Sequence, residues 1–224
     1  MSKPLSSSSE IVSQIAAGPF GLWLSQTRAS FRGNGEAEVP CGDCVGCCTS
    51  SYFIHVRPEE FQTFAKVPAR LLVSAPGWPH GHMLMGFSSD GSCPMLKERK
   101  CSIYQQRPRT CRAYDCRIFA ATGIDAGGED KAVINQRVRA WRFTYISEVE
   151  TLAHSALRAA AAFIQKQSAI FPGGRVPTVP SDIAVLAIKV YTVFLEADIQ
   201  ARSKEEIASA IINTSREFDK GLEA

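Results

Sequence analysis

Eight cysteines are the residues of this sequence whose type and spacing indicate chemistry. All of them lie in the segment 41–116, and the rest of the 224-residue chain has none. Two cysteines separated by two residues can direct both thiolates to one metal ion, and intervening glycines permit the tight backbone that this needs. The pattern predicts metal binding, with these proposed ligands: Cys41, Cys44, Cys47, Cys48, Cys93, Cys101, Cys111 and Cys116.

Cys47 and Cys48 are adjacent in the sequence. Successive side chains of an extended backbone point to opposite sides. We therefore expect the two thiolates to serve two different metals or opposite edges of one polynuclear cluster, and not to chelate a single mononuclear ion together.

Three interpretations of the cysteines compete with a metal site. A disulfide framework is typical of oxidising compartments and of smaller chains with little core. Buried cysteines that act only as hydrophobic residues are usually scattered singly, unlike this run. A thiol-handling protein would use Cys41 and Cys44 as a dithiol without permanent metal.

The order of these elements resembles the CxxCxxCC cysteine-cluster family, often called YkgJ-like. The resemblance extends from about residue 36 to residue 117 and rests on Cys41-x-x-Cys44-x-x-Cys47-Cys48, Cys93-Pro94, Cys101-Ser-Ile-Tyr104, Arg107-Pro108, Cys111-Arg112 and Cys116. It implies a zinc- or iron-chelating domain and names no reaction. A similar segment accompanies the lysine N-methylase of flagellin, but no resemblance covers residues 124–224, so we do not expect that activity here.

The sequence leaves the metal open between an iron–sulfur cluster and zinc. A zinc ion with four thiolates and a [4Fe–4S]²⁺ cluster with four thiolates both carry a charge of about −2, so charge does not distinguish them. The Cys-x-x-Cys-x-x-Cys run is similar to that of bacterial ferredoxins, whose fourth cysteine precedes proline as Cys93 precedes Pro94. This similarity favours iron–sulfur over zinc.

The segment 97–117 holds seven basic residues and two acidic ones. We expect these cations to lower the pKa values of the thiols, although the run is also compatible with a solvated face or a weak nucleic-acid patch. His80 and His82 could complete a metal site, but with eight cysteines present we interpret them as loop residues. His55 and His154 receive no role.

Composition limits the classes of function. Hydrophobic residues make up 45% of the chain, enough for a core, and a net charge of +3 gives nucleic-acid binding no special support. No run of about 18 apolar residues occurs, which excludes a membrane span, and the N-terminus lacks the pattern of a secretory signal. We therefore expect a cytoplasmic protein, for which an unidentified protein partner is conceivable.

The fold class that the sequence predicts is α+β, with a small cysteine-rich module of short strands and helices packed against a helical C-terminal half. We divide the chain into a tail and short helix (1–35), the cysteine module (36–120) and a helical region (121–224). In the first part, a short or kinked helix is expected over 11–25, around a Gly-Pro break.

Within the module, alternation predicts a strand over 52–56, followed by a short helix that ends before Pro68. A hairpin is expected to join 82–87 to 93–96, and a second turn over 97–100 leads to a strand over 101–104.

Four helices are predicted beyond the module. One carries Ile134, Val138, Trp141 and Tyr145, and a second starts at the capping box of Ser147 and runs to Lys166. A third, capped by Ser181 or Asp182, reaches about residue 197, and a fourth starts at the capping box of Ser203.

Two classes of function remain. In the first, the chain is a binding module whose closed thiolate site stabilises the fold or carries metal to a partner. In the second, it is a redox or Fe–S-dependent enzyme that uses the cluster for electron transfer or substrate binding. The sequence does not decide whether the chain is an enzyme, and it indicates no catalytic residue.

Overall fold

The computed structural model describes residues 14–33, 37, 39–172 and 176–221. The predicted N-terminal tail lies outside these residues. The strands are β1 (Ile15–Pro19), β2 (Ile54–Val56), β3 (Leu72–Ser74), β4 (Met83–Met85), β5 (Leu96–Lys97), β6 (Lys100–Cys101) and β7 (Trp141–Thr144). The α-helices are α1 (Phe20–Phe31), α2 (Phe61–Phe64), α3 (Arg109–Ala113), α4 (Arg117–Thr122), α5 (Ala132–Ala140), α6 (Glu148–Lys166), α7 (Pro180–Val190) and α8 (Lys204–Lys220). Short strands among short helices, followed by longer helices, confirm the predicted α+β class.

The Gly-Pro break near the N-terminus separates a strand from a helix. The prediction of one kinked helix over 11–25 is wrong for residues 15–19, which form β1, and its first three residues lie outside the described chain. Gly18 has a φ of 92°, which glycine adopts without strain, and Pro19 stays extended, so α1 begins at Phe20. Residues 15–19 are extended because they pair in parallel with β7.

The helix predicted through Trp141 and Tyr145 ends earlier, at Ala140. At Trp141 the backbone becomes extended, and β7 pairs with β1 so that Ile15 lies opposite Trp141. This pairing supplies backbone hydrogen bonds over a long sequence separation, and it buries the Trp141 side chain, which is 3% exposed. Helical spacing alone could not reveal a strand whose partner lies so far away.

The cysteine-rich part contains a three-stranded antiparallel sheet in the order β2-β4-β3 and a separate hairpin of β5 and β6. The strand and the short helix predicted between residues 52 and 68 are confirmed by β2 and α2. The hairpin predicted between 82–87 and 93–96 is wrong, because β4 pairs with β2 and β3 instead. The turn predicted over 97–100 is confirmed, and Glu98 and Arg99 form it with positive φ angles.

Two hydrophobic cores form in the described residues. The larger one joins α1, α4, α5, β7, α6, α7 and α8. The smaller one lies under the three-stranded sheet and contains Ile54, Val67, Met85, Met95 and Ile103. Tyr52 packs against both cores, and its hydroxyl lies 3.2 Å from the hydroxyl of Tyr114.

The last helices start near the predicted positions, but not always with the predicted caps. Both hydrogen bonds of the capping box at Ser203 are present. At Ser147 the side chain makes no capping bond, and Glu150 accepts from the backbone of Ile146 instead.

The third predicted helix, α7, differs from its prediction at both ends. It begins at Pro180, whose fixed φ suits the first helical position, so neither Ser181 nor Asp182 is the cap. It ends at Val190, and a 3₁₀ segment, Tyr191–Leu195, follows. No helix of the described chain is long and apolar enough to cross a membrane.

A buried ion pair joins the N-terminal elements to the cysteine segment. The Asp115 carboxylate lies 2.8 Å from Nη2 of Arg117, and both side chains are less than 10% exposed. Asp115 also accepts from the indole Nε1 of Trp23, while Arg117 donates to the carbonyl of Ala17. Cys116 lies between the two charged residues, so this network fixes its backbone in the larger core.

Replacing Arg117 by Met should lower the free energy of unfolding by about 3–5 kcal/mol, because Asp115 would stay buried without its counter-charge. Urea denaturation followed by circular dichroism would measure the loss. The control is Arg139→Met, which removes an exposed partner of Asp125 and should cost less than about 1 kcal/mol. Equal losses in the two variants would contradict a special role for the buried pair.

Candidate metal centre

The first four cysteines lie on a compact turn. The backbone N–H of Cys44 donates to the carbonyl of Cys41, and a 3₁₀ turn, Gly46–Thr49, follows. Gly46 is buried there, and a Cβ at this position would lie 3.5 Å from Sγ of Cys44 and 3.4 Å from Ile134. An alanine Cβ at position 46 would therefore be in ordinary van der Waals contact with the thiol and α5, and no room is left for a longer side chain in that direction.

Cys47 and Cys48 lie in the 3₁₀ turn and not in extended backbone. The sequence analysis assumed an extended backbone, in which the two side chains point to opposite sides, and this assumption is wrong. Successive side chains of a 3₁₀ helix are about 120° apart. The pKa of the Cys47 thiol is raised, and the main cause is its hydrogen bond with Cys48. The two thiols are thus direct neighbours.

The four later cysteines reach the same region from four different elements. Cys93 donates its backbone N–H to the carbonyl of Cys48, at 2.7 Å. Cys101 ends β6, Cys111 lies in α3, and Cys116 directly precedes α4. None of the eight cysteines forms a disulfide.

One set of thiols lies on the side of the larger core; we call it the Cys116 group, and it consists of Cys41, Cys44 and Cys116. Burial, followed by the charges of Asp115, Cys41 and Cys44, raises the pKa of Cys116 to about 12. Desolvation, followed by the charges of Cys47 and Cys44, raises the pKa of Cys41 to about 11. The charges of Cys41 and Cys44 both act on Cys116, so the three thiols lie within electrostatic range of one another.

A second set borders the smaller core; we call it the Cys111 group, and it consists of Cys93, Cys101 and Cys111. Burial, followed by the charges of Cys47, Cys93 and Cys101, raises the pKa of Cys111 to about 12. Burial is also the main cause of the raised pKa of Cys93, to which Cys101 and Cys47 contribute.

Cys47 acts on both groups, because its charge raises the pKa values of Cys41, Cys93 and Cys111. Cys47 is therefore within electrostatic range of thiols of both groups. The Tyr52–Tyr114 hydroxyl pair is likewise within range of Cys47 and Cys116, since both raise the pKa values of the two phenols, after burial as the main cause.

The basic run does not lower the thiol pKa values as expected. Its cations are dispersed: Arg117 pairs with Asp115, and Lys97, Arg99 and Lys100 are exposed. Arg107 lowers the pKa of Cys111, but burial and the neighbouring thiolates outweigh it. The thiols of Cys41, Cys93, Cys111 and Cys116 therefore have raised pKa values.

Two residues outside the cysteine pattern contact the Cys116 group, and sequence reasoning missed both roles. Arg137 of α5 donates to the carbonyl of Cys41, and its charge lowers the pKa of that thiol. Its Nε is buried and finds no hydrogen-bond partner among the residues that the structure describes. Trp141 donates its indole N–H to Sγ of Cys116 at 3.2 Å. Only the long-range β1–β7 pairing and the position of α5 bring these residues to the thiols.

His55 and His82 contact each other. Nε2 of His55 lies 2.8 Å from Nδ1 of His82, and the two rings are stacked. Burial, followed by the charge of His82, lowers the pKa of His55, and no cysteine is among the groups that act on it. His80 and His82 both lie in the loop before β4, in agreement with their interpretation as loop residues.

The residues present fit a thiolate metal centre by their chemistry. Eight free thiols converge in two neighbouring groups, and an unsatisfied guanidinium N–H is buried beside one of them. No three histidine, cysteine or acidic side chains of the described chain are already arranged to hold a metal ion. The fit is therefore one of donor type and of neighbourhood along the backbone, and not of a completed coordination geometry.

Comparison with known proteins agrees with the resemblance noted in the sequence. Residues 40–136 match the model of the family CxxCxxCC, described as "Putative zinc- or iron-chelating domain". This segment contains all eight cysteines and ends within α5, next to Arg137. Neither the curated proteins nor the solved structures provide a match to this chain.

In the folded metal-free protein, iodoacetamide should alkylate Cys41 at least about tenfold more slowly at pH 8 than in the unfolded chain. Its pKa is raised from 9.0 to about 11, which lowers the thiolate fraction about 100-fold, and the greater nucleophilicity of the more basic thiolate offsets part of this. Peptide mass spectrometry would give the rates, with circular dichroism as the control for folding. Equal rates in folded and unfolded protein would contradict the raised pKa.

Proposed function

Because residues 40–136 match a zinc- or iron-chelating domain of the CxxCxxCC family, we propose that this chain is a metal-binding protein that holds an iron–sulfur cluster or zinc through its eight cysteines. The observation that carries the proposal is the convergence of eight free thiols in two adjoining groups. Free thiols suit a reducing compartment, so we place this function in the cytoplasm.

The arrangement supports two four-thiolate sites. The Cys116 group and the Cys111 group contribute three thiols each, and the Cys47–Cys48 pair contributes one thiol to each site. Four thiolates around each site satisfy tetrahedral zinc and also a four-cysteine iron–sulfur cluster.

Metal binding would shift these thiols to their deprotonated form. Burial, followed by the charges of neighbouring thiolates, disfavours deprotonation, which is why their pKa values are raised. A bound cation compensates this charge and makes the deprotonated form favourable. One arginine supports each group, Arg137 beside Cys41 and Arg107 beside Cys111.

The decisive experiment is elemental analysis of protein purified without oxygen and without added metal, with acid-labile sulfide and a visible spectrum from the same sample. Iron with matching sulfide supports a cluster, whereas colourless protein with stoichiometric zinc supports a structural or carrier site. Folded protein with free thiols and only traces of metal would overturn the proposal and favour thiol chemistry at Cys41 and Cys44.

Cys116→Ala and Cys101→Ala should each remove about half of the bound metal, because each variant lacks one ligand of a different four-thiolate site. Metal content per folded chain measures the effect. Ser88→Ala, an exposed substitution in the same module, serves as the control and should retain all of the metal. Complete loss of metal in either cysteine variant would contradict a division into two sites.

The affinity for metal should fall as the pH is lowered. Thiols with pKa values of about 11 to 12 are protonated near neutral pH, so each ligand must release a proton on binding, and each released proton changes the affinity about tenfold per pH unit. Competition with a chromophoric zinc chelator between about pH 6.5 and 8.5 would show this. Cys41→Ala should reduce the slope by about one proton, and a pH-independent affinity would contradict the role of these thiols as ligands.

A second candidate function is a redox centre, either for electron transfer or within an Fe–S-dependent enzyme. Two N–H groups donate to cysteine sulfurs, the backbone of Gly46 to Cys44 at 3.4 Å and the indole of Trp141 to Cys116 at 3.2 Å. Hydrogen bonds to sulfur tune the potentials of iron–sulfur clusters. Reversible reduction in a potentiometric titration would support this function, and zinc as the native metal would exclude it.

A further inference from the structure

A cavity of about 550 Å³ lies on the side of β7 where α4, α5 and α6 meet, and cysteines are absent from its lining. Its apolar lining comes from Phe119, Ile124, Val138, Trp141 and Phe143. Its volume falls within the range of sites that bind small organic molecules, and its mostly aromatic floor is typical of such sites.

Three arginines line this cavity, one from each of three elements: Arg139 of α5, Arg142 of β7 and Arg158 of α6. One carboxylate, that of Asp125, also lines it and lies 3.5 Å from Arg139. Among the described residues, Arg142 and Arg158 form no ion pair. The cavity thus keeps two positive charges without a protein counter-charge.

The backbone gives these arginines defined positions. Gly123 ends α4 with a φ of 73°, and a Cβ at this residue would lie 2.6 Å from a terminal nitrogen of Arg158. The guanidinium therefore lies against the backbone of Gly123, and a side chain at that position would have to displace it. Nη1 of Arg142 donates to the carbonyls of Arg139 and Trp141, which holds this side chain at the cavity.

Tyr145 and His154 add a polar edge to the same cavity. Nε2 of His154 lies 2.8 Å from the carbonyl of Ala121, which can only accept, so this nitrogen carries a proton. Burial, followed by the charge of Arg158, lowers the pKa of His154, so the ring is neutral near pH 7. Its Nδ1 then accepts from the hydroxyl of Tyr145, at 2.7 Å. The edge is therefore ordered and adds no charge.

We propose that this cavity, the arginine pocket, binds a small organic anion whose phosphate or carboxylate group contacts Arg142 and Arg158 and whose flat apolar body lies on the aromatic floor. Guanidinium groups bind phosphate and carboxylate by charge-assisted, often bidentate hydrogen bonds. The apolar floor makes an organic anion a better ligand than a bare inorganic ion.

The pocket borders the metal centre through a single side chain. Trp141 lines the pocket, and its indole N–H donates to Sγ of Cys116. A single residue, Trp141, would thus separate a bound anion from the Cys116 group. The inference stands without the proposed metal function, because the pocket itself contains no cysteine.

The test is isothermal titration calorimetry of the protein as purified, with phenyl phosphate and benzoate as probes. We expect one site per chain for at least one probe, with an affinity about tenfold or more above those of inorganic phosphate and phenol. Comparing the two probes shows whether phosphate or carboxylate is preferred. Arg158→Gln and Arg142→Gln should each weaken binding about tenfold, whereas the exposed Arg70→Gln should leave it unchanged.

Nuclear magnetic resonance gives an independent readout of the location. The probe should shift the indole N–H resonance of Trp141, identified by its loss in Trp141→Phe. Three results would overturn the proposal: no binding of either probe at millimolar concentration, unchanged affinity in Arg158→Gln, or inorganic phosphate bound as tightly as phenyl phosphate. Circular dichroism confirms that each variant is folded.

Discussion

The buried ion pair of Asp115 and Arg117 is the interaction on which both the fold and the candidate metal centre depend. Isolated charges are costly to bury, and this pair is stabilised by further hydrogen bonds from the indole of Trp23 to Asp115 and from Arg117 to the carbonyl of Ala17. Cys116 lies between the two charges. The same network that joins β1 and α1 to α4 therefore also holds one thiol of the centre in place.

The two cores differ in size, and this difference affects how much stability a bound metal would contribute. The helical core is large, whereas the core under the three-stranded sheet consists of five buried residues, and Cys93, Cys101 and Cys111 pack around it. A core of that size contributes little stability by hydrophobic burial alone. Small metal-binding domains are stabilised by the binding energy of the ion itself. We therefore expect the metal to matter most for the sheet side of the molecule.

Sequence reasoning identified what is encoded locally. The cysteine spacing, the short helix after β2 and the capping box at Ser203 depend on neighbouring residues, and the structure shows the last two as predicted. It failed where distant segments decide the conformation. Trp141 fits a helical pattern but lies in a strand because β1 pairs with it, and the directions of Cys47 and Cys48 depend on a tight turn. The nearness of Arg137 to Cys41 likewise had no signal in the sequence.

The parallel pairing of β1 with β7 has a consequence for how this chain is made. β1 is synthesised first, and its partner Trp141 follows only after the whole cysteine segment. On the ribosome, all eight thiols therefore emerge while the strand that closes the fold over Cys116 is still missing. The nascent chain passes through a stage in which its cysteines are open to reagents and ions, and the arrival of residues 141–144 ends that stage.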